Sequence, residues 1–452
     1  MQIKQWEDKN LAQFSYAILS DTERQIVLID PSRNPKPYLE YAREMNAQII
    51  GIIETHPHAD FISGHLELSQ LAGAAIYISS LVGAAYPHTG FDEGNTIDFG
   101  EVKLISMNTP GHSPDSISII LVEGGKQKAV FTGDTLFIGD CGRPDLREGA
   151  GKIKATRIEL AKNMYHTLRN KFISLADDIL VYPAHGAGTL CGKGLSEANS
   201  STMGKEKKTN WSLQSMTEQE FVSSLLSDQP FIPAYFPFDV EINRKGASPF
   251  NASIEKIRMR TAIQNERDAS MLDSSVIIVD ARKESDYKEG HLPNSINLME
   301  GKKFETWLGS IIKPGEPFYL AGESTAQLKE LMERVAAIGY EEQIKEAFVL
   351  EYGSQKEPVL DVSKFKKNME DYTIVDIRNN SERNEGRPFD NSILIPLPEL
   401  RDRVKEIPVE KPIVVHCAGG YRSAAGSSIV KSALNGNVTV FDLSEAIKEF
   451  NS

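Results

Sequence analysis

The chain has 452 residues, of which 40% are hydrophobic and 25% are charged, and its formal net charge is −13. A chain of this length predicts about two to four domains, and an acidic balance without a long basic run excludes a general nucleic-acid-binding protein. No apolar stretch reaches the roughly 18 residues that a membrane-spanning helix needs, so we expect no membrane partner.

The first residues carry acidic side chains and lack the hydrophobic segment of a signal peptide. The three cysteines, Cys141, Cys191 and Cys417, are odd in number and widely spaced. This pattern is typical of free thiols in a reducing compartment and not of a disulfide framework. The sequence therefore predicts a cytoplasmic protein.

Residues 1 to about 245 alternate short β-rich runs with turns that contain Gly, Pro and His. The predicted strands are Gln25–Ile29, Ala47–Ile53, Ala75–Ile78, Val102–Ile105, Ile117–Val122, Ala129–Phe131 and Ile179–Tyr182. Helical patterns lie between some of them, notably at Ser63–Ala72 and Ala155–Arg169. This alternation predicts a layered α/β arrangement.

The end of this region is polar and rich in proline. A polar stretch, Ser196–Thr209, leads into the helix-like segment Thr217–Leu226, and the Pro-rich segment Pro230–Pro237 follows. We place the first domain boundary near residues 245–265.

Two segments of similar layout follow the boundary. Val276–Arg282 and Tyr372–Arg378 each read as a buried strand that ends in Asp-x-Arg. A second apolar run, Pro317–Leu320 or Pro412–His416, comes about 40 residues later in each segment. A weak repeat of about 95 residues, forming two small parallel α/β units, accounts for this pattern.

The segment Glu54–Phe61 carries the first chemical signal. His56, His58 and Asp60 stand at alternate positions directly after a predicted strand, where they can converge on one point. An HxHxDH pattern would offer a second metal ion another imidazole, but Phe61 occupies that position. Because phenylalanine cannot bind a metal, the motif favours one ion over two.

Three further residues follow other predicted strands: His112 in TPGHS, Asp134 in TGDT and His185 in PAHG. Strand ends at one edge of a sheet bring sequence-distant residues together. Taken singly, each histidine is more often a structural residue than a ligand. The joint pattern reverses that preference and predicts a metal site.

These motifs resemble those of the metallo-β-lactamase fold, an αββα sandwich that we expect over residues 1–250. The stretches Gly133–Asp145 and Pro183–Lys193 are similar in detail to persulfide dioxygenases, which stand beside the glyoxalase-II thioesterases in that superfamily. The resemblance implies one Fe(II) per chain, held by His56, His112 and Asp134. It also implies that His58, Asp60 and His185 surround an emptied second site.

A non-haem Fe(II) oxygenase is expected to hold its iron with two imidazoles and one carboxylate, which leaves coordination positions of the metal open. A dinuclear zinc hydrolase needs more ligands and a bridging water, whereas a mononuclear zinc site can use the same three residues. In the loop after Asp134, Arg143 either holds an anionic substrate group or is structural. We expect Cys141 and Cys191 to be structural or incidental and not catalytic.

The second chemical signal is Cys417, which a predicted strand delivers to a Gly-containing loop before the predicted helix Ser423–Ser432. Successive loop amides and a helix N-terminus can hold an anion and stabilise a thiolate, with Arg422 nearby. Phosphatases also place Cys and Arg in one loop, but their loop is longer than the four residues found here. The shorter loop favours sulfur over phosphate.

The motif CAGGYRS resembles the active-site loop of rhodanese domains, over residues 356–452. The resemblance implies that Cys417 carries a transferable sulfur atom and that Arg422 assists it. It also implies that further loop residues bind the substrate and hold the charge of the bound sulfur species, namely Ala418, Gly419, Gly420, Tyr421 and Ser423. Residues 260–355 resemble a rhodanese domain too, but Ala321–Ser324 lack a cysteine, so we expect an inactive copy that acts as a spacer or a docking surface.

The whole chain resembles bacterial fusions of a persulfide dioxygenase with rhodanese domains. We expect it to oxidise a small-molecule persulfide with O2 to sulfite and thiol, and to make or use thiosulfate through Cys417. The direction of that coupling stays open, and we expect a homo-oligomer. One alternative is a glyoxalase-II-like thioester hydrolase with sulfurtransferase domains, and another is a non-catalytic sulfur carrier or sensor.

Overall fold

The computed structural model describes residues 1–148, 155–434 and 436–450. The chain forms two compact units. The first comprises Met1–Ala252 and Ala336–Gly339, and the second comprises Ser253–Val335 and Tyr340–Ser452.

The first unit contains two six-stranded sheets. The first sheet has the order β1-β2-β3-β4-β5-β6, and its strands are β1 Gln2–Asp8, β2 Gln13–Ser20, β3 Gln25–Ile29, β4 Gln48–Ile53, β5 Ala75–Ile78 and β6 Thr89–Gly90. The pairs among β1, β2 and β3 are antiparallel, and the pairs from β3 to β6 are parallel. The predicted strands over Gln25–Ile29 and Ala75–Ile78 are confirmed, because β3 and β5 have these bounds.

The second sheet has the reverse order, β12-β11-β10-β9-β8-β7. Its strands are β7 Thr96–Phe99, β8 Val102–Asn108, β9 Ile117–Glu123, β10 Lys126–Gly133, β11 Leu180–Pro183 and β12 Ser201–Thr202. Strand β9 is antiparallel to both β8 and β10, and β10 is parallel to β11. Strands β8, β10 and β11 therefore run in one direction, and their carboxyl ends meet at one edge of the sheet.

The helices of the first unit are α1 Lys36–Glu44, α2 His65–Ala72, α3 Arg157–Thr167, α4 Met203–Thr209, α5 Glu218–Leu226 and α6 Phe236–Lys245, and α7 Phe250–Glu255 spans its boundary. Helices α1 and α2 bury Tyr38 and Leu68 against the first sheet, whereas α3 and α5 bury Met164 and Phe221 against the second. The inner faces of the two sheets share one apolar core, in which the rings of Tyr16 and Phe131 lie 4.9 Å apart. The layers are thus αββα, as expected.

The second unit contains two four-stranded sheets in which all strands are parallel. The first has the order β14-β13-β15-β16, with β13 Ile277–Asp280, β14 Ser295–Asn297, β15 Phe318–Gly322 and β16 Ile344–Val349. Its helices are α8 Glu266–Ala269, α9 Glu284–Glu289, α10 Phe304–Ile311 and α11 Thr325–Ala337. The side chains of Ile278, Tyr319 and Phe348 meet in its core.

The second sheet repeats this layout with the order β18-β17-β19-β20. Its strands are β17 Thr373–Asp376, β18 Ile393–Leu394, β19 Ile413–His416 and β20 Val440–Asp442. Its helices are α12 Val362–Lys367, α13 Asn380–Glu385, α14 Leu397–Arg403 and α15 Tyr421–Leu434. In both copies the Asp-x-Arg motif forms a buried ion pair, between Asp280 and Arg282 and between Asp376 and Arg378.

Two segments that the sequence marks as polar or Pro-rich contain helices. Helix α4 lies inside the polar stretch 196–209, and α6 begins inside the Pro-rich stretch. Glu206 of α4 is fully buried, and its carboxylate accepts hydrogen bonds from Ser201, Gly139 and Asn210. Of the helices in the described parts of the chain, none combines the length and the apolar character that crossing a membrane requires.

Candidate metal centre and cysteine site

The first cluster brings together His56, His112 and Asp134, which follow β4, β8 and β10. The Nε2 atoms of His56 and His112 lie 3.9 Å and 3.6 Å from Oδ2 of Asp134. All three side chains are buried. One atom from each residue can therefore face a common point.

Hydrogen bonds on the far side of each ring fix which nitrogen faces the cluster. Nδ1 of His56 lies 3.1 Å from Oγ1 of Thr55, which donates to Asp30 and so accepts from the ring. Nδ1 of His112 donates to the main-chain oxygen of Arg143 at 2.8 Å. With the proton on Nδ1, each Nε2 keeps a lone pair for a metal ion. Burial lowers the pKa of His112 and holds the pKa of His56 well below its usual value, so both rings are neutral.

The carboxylate of Asp134 tests whether these residues suit a metal ion. Both of its oxygens are buried, and neither accepts a hydrogen bond from the residues that the structure describes. A buried carboxylate that accepts no hydrogen bond is costly, and a bound cation would offset that cost. The donor set of two neutral imidazoles and one carboxylate therefore fits a divalent transition metal.

A second cluster adjoins the first and consists of His58, Asp60 and His185. Nε2 of His185 lies 3.5 Å from Asp60 and 3.5 Å from Oδ1 of Asp134. The ring of Phe61 packs on the ring of His58, with centroids 4.3 Å apart. Burial acts to lower the pKa of His185, but the carboxylates of Asp134 and Asp60 outweigh burial and raise it.

The cysteine site lies between β19 and α15. Sγ of Cys417 accepts a hydrogen bond from the amide of Gly420 at 3.1 Å, and Ser423 donates to the main-chain oxygen of Gly420 at 2.9 Å. Gly420 has φ +102°, which L side chains rarely adopt, and an added Cβ would lie 3.0 Å from the backbone of residue 445. Cys417 itself is buried, while Ala418 and Gly419 are exposed. The buried thiol thus stands next to two small, exposed residues of its loop.

The first copy lacks a cysteine at the equivalent position. Strand pairing aligns Ala321 with Asp280 in that copy and His416 with Asp376 in the second. The residue after Ala321 is Gly322, which therefore takes the place of Cys417. Because glycine has no thiol, this copy cannot carry a transferable sulfur atom at that position.

Comparison with known proteins relates both sites to families. Residues 10–185 match the Metallo-beta-lactamase superfamily, and residues 264–356 and 361–452 each match the Rhodanese-like domain. A crystal structure of a metallo-beta-lactamase from Staphylococcus aureus subsp. aureus COL has a TM-score of 0.68 and 30% sequence identity, and the match covers 77% of this chain and 98% of that one. The chain belongs to the metallo-beta-lactamase superfamily. Two rhodanese-like domains follow its metallo-beta-lactamase domain.

Two relatives indicate the kinds of enzyme that this metallo-beta-lactamase domain is similar to. The human protein "Persulfide dioxygenase ETHE1, mitochondrial" is 34% identical over 174 residues, which cover 38% of this chain and 63% of the human protein. The chain thus spans less than two thirds of that relative. A hydroxyacylglutathione hydrolase of Francisella philomiragia subsp. philomiragia is 30% identical over 186 residues, covering 41% of this chain and 68% of the relative.

Arg143 of the metallo-beta-lactamase domain is almost fully buried. Its guanidinium donates to both oxygens of Asp145, at 2.7 and 2.6 Å, and to the main-chain oxygens of Leu190 and Phe231. Its own main-chain oxygen holds the ring of His112. Because protein groups occupy these donors, the geometry favours the structural role of Arg143 over direct binding of an anionic substrate.

Cys191 of the same domain lies nearer the metal cluster than its sequence position suggests. Its thiol sulfur lies within 4.8 Å of donor atoms of Asp134 and His185. Burial, with the nearby carboxylates of Asp60 and Asp134, holds the pKa of Cys191 well above its usual value, so it is a neutral thiol. Cys141 instead packs in the apolar core between the second sheet and helices α3 and α5.

Sequence reasoning missed the residues that hold the metal-binding loop. The side chain of Asn243, on α6, donates to the main-chain oxygens of His58 and Phe61 at 2.9 and 2.7 Å, and accepts from the amide of Ser63 at 2.8 Å. Nothing in the local sequence marks this asparagine. Thr55 stands inside the motif directly before His56, so a contact between these two residues could have been predicted from the sequence.

Arg422 of the second rhodanese-like domain donates with both terminal nitrogens to the carboxylate of Glu382, at 2.6 Å each. The resemblance to rhodanese domains implies that Arg422 helps to hold the negative charge of a bound sulfur species. The structure adds Glu382, on α13, as the residue that fixes its direction.

Proposed function

We propose that the chain is a persulfide dioxygenase with a sulfurtransferase site, and that His56, His112 and Asp134 hold one ferrous ion per chain. The observation that carries the proposal is the buried Asp134 carboxylate, which accepts no hydrogen bond from the described residues and faces two oriented imidazoles. The likeness to a persulfide dioxygenase supports iron, and the two rhodanese-like domains support sulfur chemistry.

The overall oxidation balances as RSSH + O2 + H2O giving RSH + SO3²⁻ + 2H⁺. A bound ferrous ion supplies open coordination positions and the redox chemistry that dioxygen needs. Thr55 and the main-chain oxygen of Arg143 keep the proton of each ligand ring on Nδ1, away from the cluster. The packed rings of His58 and Phe61 exclude water from one side of the site.

The second reaction uses Cys417. The lone pair on the sulfur of sulfite attacks the outer sulfur of a Cys417 persulfide, the S–S bond breaks, and its electron pair returns to Sγ. The products are thiosulfate and the Cys417 thiolate, and the total charge is unchanged. The amide of Gly420, which donates to Sγ, stabilises that thiolate. The reverse reaction uses the same residues and charges Cys417 from thiosulfate.

Oxygen uptake over a panel of persulfides (glutathione, coenzyme A, cysteine and bacillithiol), with product analysis, tests the proposal. We expect wild type to consume oxygen and to form thiosulfate. We expect Cys417→Ser to keep oxygen uptake and to release sulfite instead. Cys141→Ser, a buried cysteine outside both sites, is the matched control. Thiosulfate that persists in Cys417→Ser, after subtraction of the non-enzymatic reaction, would contradict the coupling.

A second candidate is a thioester hydrolase with appended sulfurtransferase domains. It is favoured by the second donor cluster of His58, Asp60 and His185, which adjoins the first, and by the likeness to a hydroxyacylglutathione hydrolase. This alternative predicts zinc and the cleavage of glutathione thioesters without oxygen. Metal analysis, together with parallel assays on a persulfide and on a thioester, separates the two functions.

A further inference from the structure

We propose that the cysteine-less rhodanese-like domain is part of the Cys417 site, and that Trp307 is a positioning residue that acts through Arg422. The inference rests on the sulfurtransferase role proposed above. It replaces the expectation that this domain is only a spacer or a docking surface. Nearly all of both rhodanese-like domains lies within the second compact unit. Two of the contacts between these domains involve Tyr421 and Arg422, the last two residues of the Cys417 loop.

Tyr421 makes the first of these contacts. Its hydroxyl donates to the main-chain oxygen of Met299 at 2.7 Å. The ring also lies close to Gly301, since a Cβ added to that glycine would come within 2.9 Å of it. Residues 299–301 therefore form a surface shaped to the Tyr421 ring. A side chain at position 301 would therefore require the Tyr421 ring to shift.

Arg422 makes the second contact. Its guanidinium carbon lies 5.6 Å from the ring centroid of Trp307, and its terminal nitrogens are paired with Glu382. An aromatic face and a bidentate carboxylate together restrict a planar guanidinium in both tilt and rotation. Trp307 belongs to α10 of the cysteine-less domain. One domain thus orients the cation that the other uses beside its thiol.

Further contacts hold the backbone around the loop. The amide of Asn297, at the end of β14, donates to Ser428 of α15 at 3.1 Å. Lys288 pairs with Asp442 at 3.2 Å, and Ser444 donates to Glu284 at 2.8 Å. The backbone after Asp442 is the surface against which Gly420 packs. The cysteine-less domain therefore supports the loop from the side of α15 and from the side of β20.

The first test measures thiosulfate:cyanide sulfurtransferase activity of the full-length chain. We expect Trp307→Leu to lower kcat/KM for thiosulfate by about five- to thirtyfold, mainly through KM, because the cation that meets the dianion loses its orientation. Trp307→Phe keeps an aromatic face and should restore the value to within about threefold. Tyr319→Phe, which removes one hydrogen bond in the same domain away from the loop, is the control and should match wild type.

The second test does not depend on sulfur transfer. The rate of Cys417 alkylation is measured by peptide mass spectrometry with iodoacetate, an anion, and with iodoacetamide, which is neutral. We expect the ratio of the two rates to fall in Trp307→Leu and to recover in Trp307→Phe. An unchanged ratio in a folded Trp307→Leu variant overturns the positioning role. If wild type transfers no sulfur while the ratio still falls, the positioning stands and the proposed sulfurtransferase function fails.

Discussion

The hydroxyl of Thr55 lies 3.1 Å from Nδ1 of His56 and gives its own hydrogen to Asp30. This arrangement keeps Nε2 of His56 free for the metal ion. We predict that Thr55→Val, which preserves the shape of the side chain, weakens metal affinity by about 10- to 100-fold. A competitive titration with a chromophoric chelator measures the change.

The matched control for this substitution is Ser106→Ala, which removes a buried hydroxyl bonded to the main-chain oxygen of Phe91. It should leave metal affinity unchanged. Equal loss of affinity in both variants would mean that Thr55 acts through general stability and not through His56.

Asn243 is predicted to be essential for the metal-binding loop. Asn243→Ala leaves two main-chain oxygens and one amide of that loop without their partner. We expect a loss of about 2–4 kcal/mol in the stability of the first unit, together with weaker metal binding. Denaturant unfolding with and without metal measures both effects. The exposed Asn199→Ala is the control and should change stability by less than about 0.5 kcal/mol.

The three cysteines should differ in reactivity. Burial holds the pKa of Cys141 and of Cys191 well above the usual value of a thiol. Cys417 instead receives a hydrogen bond from the amide of Gly420 and adjoins two exposed residues. We therefore predict that iodoacetamide labels Cys417 first in the native protein, as read by peptide mass spectrometry. Labelling of Cys191 at a similar rate would contradict this description of the loop.

We predict that the stability of the second unit depends on pH through His291. Its ring stacks on Tyr287 with centroids 4.2 Å apart, and burial, followed by the charge of Lys431, lowers its pKa to about 4. The unfolded chain binds a proton near pH 6.5, whereas the folded chain resists protonation until about pH 4. The contribution of His291 to stability is therefore complete above the unfolded pKa and falls by about 3 kcal/mol as the pH drops through this window.

Native-state hydrogen exchange of amides in β13 and β15, followed by mass spectrometry, measures this effect. His291→Gln cannot titrate, so its stability should fall less steeply with acidification than that of wild type. Other titratable groups, including the nearby Glu357, are present in both proteins, so their contributions largely cancel when the two pH profiles are subtracted. Parallel pH profiles for the two proteins would show that His291 stays protonated or is solvated in the folded state.

Much of the architecture could be predicted because the relevant signals are local. Apolar runs gave strands such as β3 and β5, and Asp-x-Arg after a buried strand marked both later sheets. The motif at His56 and the thiol at Cys417 follow directly after strands. The ends of neighbouring strands lie at one edge of a sheet, which brings such side chains close to other residues. Their positions at sheet edges therefore followed from pattern alone.

The remaining features depend on contacts between distant residues, which a single sequence does not reveal. Asn243 holds a loop more than 180 residues away. Glu206 is buried in a stretch that reads as polar linker, because its carboxylate has specific partners. Trp307 reads as an ordinary apolar residue of a helix, and its place beside Arg422 emerges only from the packing of two domains.

The most direct test of the central proposal is the metal content of the protein, joined to oxygen uptake with glutathione persulfide. Protein prepared without oxygen is loaded with ferrous ion or with zinc, and His112→Ala is compared with the exposed His88→Ala. We predict one iron per chain, oxygen uptake with iron but not with zinc, and loss of both iron and uptake in His112→Ala alone. Two metal ions per chain, or thioester cleavage with zinc and no oxygen uptake with iron, would contradict a mononuclear iron dioxygenase.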